Sequence, residues 1–172
     1  MPKILAGHCA IRNWDTIYVI GSASNFLEVF AFNITTSNWK TFTSLGKLLP
    51  ENPTARRDFA CSMNADKTSI YVSGGKLSFD PVVTTNDFFS YNISTQSWSK
   101  LPSSKQPRSG HIITLYRDFP TVVGGVDDDN QSLMSLESFN GTDWVQLHET
   151  LSNGRKNFGV AAVPTYLLPS VL

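Results

Sequence analysis

One order of features recurs three times along the 172-residue chain. In each copy a β-branched or aromatic run ends at a glycine, an alternating run then ends in an aromatic residue and an asparagine, and a tryptophan follows a short polar turn. The copies read TIYVIGS with LEVFAFNITTSNW, SIYVSGG with NDFFSYNISTQSW, and PTVVGGV with LMSLESFNGTDW. Self-similarity at a fixed period is the sequence signature of repeat architectures. The chain is therefore expected to fold as a series of similar units.

The spacing of marker residues supports this interpretation. Gly21, Gly74 and Gly124 lie 53 and 50 residues apart. Glycine allows backbone angles and close approaches that a Cβ atom forbids, and the tryptophans suit a packed zone between units. The residues expected to serve the repeat structurally are Gly21, Gly74, Gly75, Gly124, Gly125, Trp39, Trp98, Trp144 and Tyr91.

An arginine precedes a run of small and apolar residues ahead of the later copies. Arg57, Arg108 and Arg155 lie 51 and 47 residues apart, and the first copy keeps a weaker form in LAGHCAIR. Each full copy thus contains four short strand signals separated by turns, which is the spacing of all-β antiparallel folds. Helical periodicity is nearly absent.

These coupled motifs resemble the kelch-repeat β-propellers, whose pattern is an Arg-led first strand, a second strand ending in Gly-Gly, a third ending in Tyr and a fourth carrying Trp. The resemblance covers about residues 6 to 164, although the first copy has Ser22 in place of the second glycine and lacks the leading arginine. It implies an all-β, kelch-type propeller segment of four-stranded antiparallel blades. The expected blades span about 6–45, 56–102 and 107–149, with the first strand of a further blade at about 155–164.

Three blades and one strand make an incomplete ring, because closed propellers use about 4–8 blades. The remaining blades are expected from a longer chain or from a second copy. An isolated half-ring would expose unpaired edges and apolar blade faces.

Composition narrows the functional classes. The 14 basic and 14 acidic residues give no net charge, which argues against nucleic-acid binding. No apolar run approaches the roughly 20 residues that span a membrane. The start of the chain has no sustained apolar stretch, so we expect no signal peptide and a cytoplasmic rather than a secreted protein.

The resemblance implies a non-catalytic protein-interaction module. In kelch domains that bind acidic or phosphorylated peptides, basic residues at the rim of the central channel hold the partner, and the repeated arginines are expected near this rim. The planar fork of arginine pairs a carboxylate bidentately. The alternative is that each arginine satisfies the carbonyls or a carboxylate of a neighbouring blade. The variable loops at about 76–86 and 126–132 are further expected contacts. The candidate partner-binding residues are Arg56, Arg57, Arg108, Arg155, Asp127 and Asp128.

No metal, cofactor or catalytic residue is expected. The run from Asp127 to Asp129 lacks the alternating spacing of a calcium loop, and the three histidines fit no metal motif. Because fold does not fix function, a propeller enzyme acting on a sugar or small molecule at the channel mouth remains the rival interpretation.

Three glycosylation sequons begin at Asn33, Asn92 and Asn140, all in the turn between the third and fourth strands. They raise the further alternative of an extracellular recognition domain, although Asn is also favoured there by turn chemistry. Cys61 lies one residue further along its strand than Cys9, so the two thiols either face each other across adjacent blades or point apart. A disulfide between them is the alternative, and buried free thiols are the expected state.

Overall fold

The computed structural model describes residues 2, 4–21, 28–42 and 56–160. The fold is all-β: three four-stranded antiparallel sheets hold successive parts of the chain, and in each sheet the strands lie side by side in sequence order. The predicted fold class is therefore confirmed. Ser22 and residues 161–164 of the predicted final strand lie outside the described residues.

Each sheet is one blade. Blade 1 comprises β1 (Cys9–Asn13), β2 (Thr16–Ile20), β3 (Val29–Asn33) and β4 (Asn38–Phe42). Blade 2 comprises β5 (Ala60–Met63), β6 (Ser69–Ser73), β9 (Phe88–Asn92) and β10 (Ser97–Leu101). Blade 3 comprises β11 (Ile112–Tyr116), β12 (Phe119–Val123), β13 (Ser135–Phe139) and β14 (Trp144–Thr150). A separate hairpin, β7 (Lys76–Phe79) and β8 (Val82–Thr84), lies between β6 and β9.

The strand order gives each blade two different ends. Because consecutive strands are antiparallel, the turns that join the first to the second strand and the third to the fourth lie at one end, which we call the turn face. The connections between the second and third strands, and those between blades, lie at the other end, the loop face. The β7–β8 hairpin therefore belongs to the loop face.

The recurring aromatic residue and tryptophan form a cross-strand pair. In blade 2, Tyr91 pairs with Trp98 across β9 and β10, with ring centroids 5.1 Å apart. In blade 3, Phe139 pairs with Trp144 at 5.6 Å. Adjacent aromatic side chains on one face of a sheet stabilise the pairing of the strands. The repeated motif thus encodes the outer hairpin of each blade.

Both faces of blade 2 are buried. Along β9, Phe89 and Tyr91 pack into a cluster shared with blade 1, whereas Phe88 packs into a cluster shared with blade 3. This follows from the alternation of side chains along a strand. The pair Phe32 and Trp39 in blade 1 is only half-buried, because the equivalent pairs face the preceding blade and none precedes blade 1 in the described residues.

The glycine pairs of blades 2 and 3 fasten each of these two blades to the segment that follows it. Gly75 N–H donates to the carbonyl of Arg108 at 2.9 Å, and Gly125 N–H donates to that of Arg155 at 2.7 Å. A Cβ atom on Gly74 would lie 2.5 Å from the Arg108 carbonyl oxygen, closer than atoms can approach. Gly74 also has a φ of 63°, which other residues rarely adopt. Both constraints explain the glycine.

A second series of backbone bonds links the starts of successive blades. Gly110 N–H donates to the carbonyl of Asp58 at 2.8 Å, and Asn157 N–H donates to that of Gly110 at 2.7 Å. All three residues have a left-handed φ, between 53° and 60°. Asp and Asn tolerate this conformation better than most residues.

The predicted strand of a further blade lies mostly outside the described residues. In blade 3 the first strand begins at Ile112, four residues after Arg108. The equivalent position after Arg155 is Gly159, and residues 155–158 form no strand, like the corresponding residues of blade 3. They lie against blade 3 through backbone hydrogen bonds. The further blade therefore stays a prediction.

None of the residues described in the structure belongs to a helix that could cross a membrane.

Candidate partner-binding site

The repeat-phase arginines are Arg56 and Arg108, not Arg57 and Arg108 as the sequence spacing suggested. Arg56 donates to the carbonyl of Gly74, and Arg108 donates to the equivalent carbonyl of Gly124. The two side chains are 1% and 0% exposed. The spacing was misassigned by one position because two arginines adjoin at this point.

Arg108 is the centre of a buried polar network. Its guanidinium donates to Gly124 O at 2.7 Å, to Ser135 and to the carboxylate of Glu137, which is itself buried. Glu137 also accepts a bond from Lys105 N–H at 2.6 Å. Burial lowers the pKa of Arg108, and the charge and hydrogen bond of Glu137 act against that shift. The pair holds blade 3 to the linker that precedes it.

Arg56 forms a more open version of this pair. It bonds Asp87 at 3.2 Å, and Asp87 also lies 3.5 Å from Lys100 Nζ. Burial acts to raise the pKa of Asp87, but hydrogen bonding with Thr85 and the charges of Arg56 and Lys100 lower it overall. The prediction that Arg56 and Arg108 contact a partner is therefore wrong, because both guanidinium groups are buried against groups of their own blade.

Two other predicted arginines are exposed. Arg57 lies at the loop face, where its backbone forms an antiparallel bridge with Lys76 at the base of the β7–β8 hairpin. Arg155 is in phase with Arg108 and is exposed as well. Its guanidinium has no hydrogen-bonding partner in the part of the chain that the structure describes.

The β7–β8 hairpin presents apolar side chains to solvent. Leu77, Val82 and Val83 are 37%, 36% and 39% exposed. Singly exposed apolar residues are ordinary, but several on one small hairpin form a patch of the kind found at protein interaction sites. The predicted contact loop at 76–86 thus contains two strands that the sequence did not indicate.

The two predicted aspartates both bond within the protein. Asp127 Oδ1 accepts a bond from Gln131 N–H at 2.8 Å and so closes its own loop. Asp128 Oδ1 accepts bonds from both the N–H and the hydroxyl of Thr84, the last residue of β8. These bonds lower the pKa of Asp128. Asp128 therefore joins the loop of blade 3 to the hairpin of blade 2.

The cysteines form a disulfide between blades 1 and 2, so the expectation of free thiols is wrong. Cys9 and Cys61 have Cα atoms 6.1 Å apart, and both pack against the same hydrophobic cluster. The offset of one residue explains the pairing. It places Cys9 on the side of β1 that faces blade 2 and Cys61 on the side of β5 that faces blade 1.

His111 is buried between blades 2 and 3. Its Nε2 atom lies 3.2 Å from the Ser73 hydroxyl. Burial, together with the nearby charge of Arg108, lowers the pKa of His111 to about 3. In the described residues, no three His, Cys, Asp or Glu side chains lie close enough to hold a metal ion.

The three predicted sequons lie in equivalent turns of the turn face. Asn33, Asn92 and Asn140 each end or follow the third strand of a blade. The sequence also contains a fourth sequon, Asn130–Gln131–Ser132, in the loop face of blade 3. The interpretation built on the repeat missed it because it lies outside the repeated turn; a plain scan for Asn-x-Ser/Thr finds it.

A protein-family model for the KLHDC2/KLHL20/DRC7 Kelch-repeats domain matches residues 7–165. Curated relatives include Kelch-like protein terF of Aspergillus terreus, 28% identical over 67% of this chain and 27% of its own. Kelch-like protein 41a of Danio rerio is 33% identical over 55% of this chain and 15% of its own. The chain thus spans about a quarter or less of these relatives.

Among solved structures, YjhT matches with a TM-score of 0.71 and 18% identity, covering 90% of this chain and 53% of that one. At this identity the likeness shows the fold alone. The family model, by contrast, covers nearly the whole chain, and its match agrees with the three four-stranded blades. The chain belongs to the kelch-repeat family.

Proposed function

We propose that the chain is a protein-interaction module without catalysis of its own, and that it binds its partner through the loop face. The observation that carries this proposal is the β7–β8 hairpin, which exposes Leu77, Val82 and Val83 beside the exposed Arg57. In the described residues, the corresponding loop of blade 3 contains no such strands and is closed by a single bridge between Val126 and Ser132. An insertion at one point of a repeat marks one face, often the binding face.

The hairpin is fixed on both sides. Lys76 at the start of β7 pairs with Arg57 through two backbone bonds of 3.1 and 2.8 Å. Thr84 at the end of β8 bonds Asp128 in the neighbouring blade. A surface held in this way loses little conformational entropy on association, which favours binding.

The chemistry of this surface indicates the kind of partner. An arginine at the base of an apolar hairpin suits a partner segment in which a carboxylate lies next to apolar side chains. Arg155 is a second exposed arginine at the loop face. We therefore propose an acidic, partly apolar peptide segment as the ligand, and any further blades would come from a longer chain or a second copy.

The test is selection of a displayed random-peptide library on the immobilised protein, followed by fluorescence anisotropy with the selected peptides. We expect enrichment of peptides that combine acidic and apolar residues. Arg57→Ala is expected to weaken binding about tenfold or more, because a hydrogen bond to a charged group contributes about 1.5–3 kcal/mol. The double variant V82S/V83S is expected to weaken binding similarly.

The matched control is Val145→Ser, which changes another exposed valine on β14, away from the hairpin. It should leave peptide affinity unchanged. Selected peptides that bind Arg57→Ala and V82S/V83S as tightly as the unmodified protein would contradict the proposal, and so would a selection that enriches no peptide.

A further inference from the structure

Two unrelated features of the structure indicate the same kind of environment. The first is the disulfide between Cys9 and Cys61, which joins two blades across 52 residues of sequence. Disulfides persist in oxidising compartments and are rare in the cytosol, where thiols are kept reduced. The second is the set of sequon turns, whose side chains leave the acceptor amide available.

In each sequon turn the asparagine uses only its oxygen. Asn33 Oδ1 accepts bonds from the N–H and hydroxyl of Thr36. Asn92 Oδ1 accepts bonds from Ser94 and Thr95. Asn140 Oδ1 accepts bonds from Thr142 and Asp143 in the same way.

Within the described ranges, none of the three Nδ2 atoms donates a hydrogen bond. Nδ2 is the atom to which an N-linked glycan attaches. A glycan there would therefore cost the turn no native bond.

The three asparagines also share one face. Each lies at or directly after the third strand of its blade, so all belong to the turn face. Glycans at these positions would extend from the end of the blades opposite to Arg57 and the β7–β8 hairpin. They would leave the loop face uncovered.

We infer that this protein matures in an oxidising secretory compartment, with Cys9 and Cys61 joined and with N-linked glycans on the turn face at Asn33, Asn92 and Asn140. This replaces the cytoplasmic location expected from the sequence. It stands independently of partner binding at the loop face.

The secretory compartment supplies the reagents that both modifications need. In the first, the two thiols lose two electrons and two protons to a protein disulfide, which is reduced to a dithiol. In the second, Nδ2 forms a bond to the anomeric carbon of a lipid-pyrophosphate-linked oligosaccharide. The sugar–phosphate bond breaks, Nδ2 loses one proton, and the lipid pyrophosphate leaves.

The experiment uses the protein expressed in eukaryotic cells from its own full-length gene, so that its own targeting signals decide the compartment. Peptides are mapped by mass spectrometry after enzymatic release of N-glycans in heavy-oxygen water, which converts each occupied asparagine to labelled aspartate. Free thiols are alkylated before any reduction. We expect labelled aspartate at positions 33, 92 and 140 and a disulfide-linked peptide containing Cys9 and Cys61.

The first blade offers a matched pair of variants. Thr35 completes the sequon, whereas Thr36 makes the turn bonds to Asn33. Thr35→Ala is expected to abolish the glycan at Asn33, and Thr36→Ala is expected to retain it. Retention in Thr35→Ala would show that the modification is not N-glycosylation and would overturn the inference.

Other outcomes would overturn it directly. Unmodified asparagine at all three turn positions excludes the glycosylated face, and so does a glycan found at Asn130 alone. Alkylation of Cys9 and Cys61 before reduction excludes the disulfide and, with it, the oxidising compartment.

Discussion

The two interfaces between blades are built from different chemistry. Between blades 1 and 2 lies a hydrophobic cluster of twelve buried residues, closed by the Cys9–Cys61 disulfide. Between blades 2 and 3 the buried cluster has six residues, and polar groups complete the contact. His111 faces Ser73 there, and Asp128 bonds Thr84. The repeat therefore fixes the backbone of each blade and the backbone bonds between blades, but it does not fix the side-chain chemistry of the interfaces.

This difference predicts different sensitivities. Apolar burial does not titrate, so the first interface should respond to reduction and hardly to pH. Buried polar groups cost free energy when they lose a partner or gain a charge. The second interface, and the Arg108 network behind it, should therefore respond to single substitutions and to acid.

Arg108→Ala should be the most destabilising single change. It leaves the Glu137 carboxylate buried without its guanidinium, and breaking a buried ion pair costs about 3–5 kcal/mol. Arg56→Ala is the matched control and should cost less, because Asp87 is partly exposed and keeps Lys100. Urea unfolding of both variants measures the difference. Equal losses of unfolding free energy in the two variants would contradict the difference between the two ion pairs. The double variant R108M/E137M removes both charges and should be more stable than Arg108→Ala; equal stability would also contradict the prediction.

Removal of the disulfide should have the next largest effect. The double variant C9S/C61S is expected to lose about 2–4 kcal/mol of unfolding free energy, because the unfolded chain gains conformational freedom. A reducing agent should lower the stability of the unmodified protein to a similar extent and leave the variant unchanged. A reductant effect of equal size on both would show that the disulfide is not its target.

Acid should weaken the interface that contains His111. Its pKa is about 3 when folded and 6.5 when exposed, so protonation favours the unfolded chain. The contribution of neutral His111 to the free energy of unfolding is complete above about pH 6.5 and is lost as the pH falls toward 3. The loss amounts to about 2 kcal/mol at pH 5. Asp87 and Asp128, whose pKa values are lowered, begin to contribute only below about pH 5.

His111→Phe provides the control for this pH dependence, since Phe59 and Phe158 occupy the same repeat phase. Urea midpoints measured between pH 7 and pH 5 should fall for the unmodified protein and stay level for the variant. A parallel fall in both proteins would assign the acid sensitivity to another group.

Asp128→Ala should have the smallest effect. It removes the two bonds to Thr84 at an exposed site, so the unfolding free energy should fall by less than about 1 kcal/mol. Hydrogen exchange should nevertheless accelerate at the Thr84 amide. Asp129→Ala is the adjacent control and should leave that amide unchanged; an unaltered Thr84 rate in Asp128→Ala would exclude the link between the blades.

The sequence predicts the blades well because their determinants are local. The glycine that cannot carry a Cβ atom and the cross-strand pair of Tyr91 and Trp98 act within one unit and recur with it. The disulfide could also be predicted from the sequence, since an offset of one residue between adjacent first strands places Cys9 and Cys61 on facing sides. The cross-strand pair and the disulfide both depend on the alternation of side chains along a strand, which the sequence shows directly.

The site is less predictable because it departs from the repeat. Nothing in residues 76–84 resembles another copy, so the hairpin could be identified only from its strand pairing. Adjacent Arg56 and Arg57 have the same chemistry, and only the bonds to Gly74 O and Asp87 distinguish the buried one from the exposed one. Long-range pairings such as Asp128 with Thr84 leave no periodic signal.

Backbone hydrogen bonds lock blades 2 and 3 to one another, and residue-resolved amide hydrogen exchange measures this locking. Gly75 and Gly110 N–H groups donate only across the boundary between blades 2 and 3, to Arg108 and Asp58. We predict that both exchange as slowly as the amides of β6 and β12, and far more slowly than the exposed turn glycine Gly141. Rapid exchange at Gly75 and Gly110 with the strands still protected would show that the blades fold without locking, and would contradict the account.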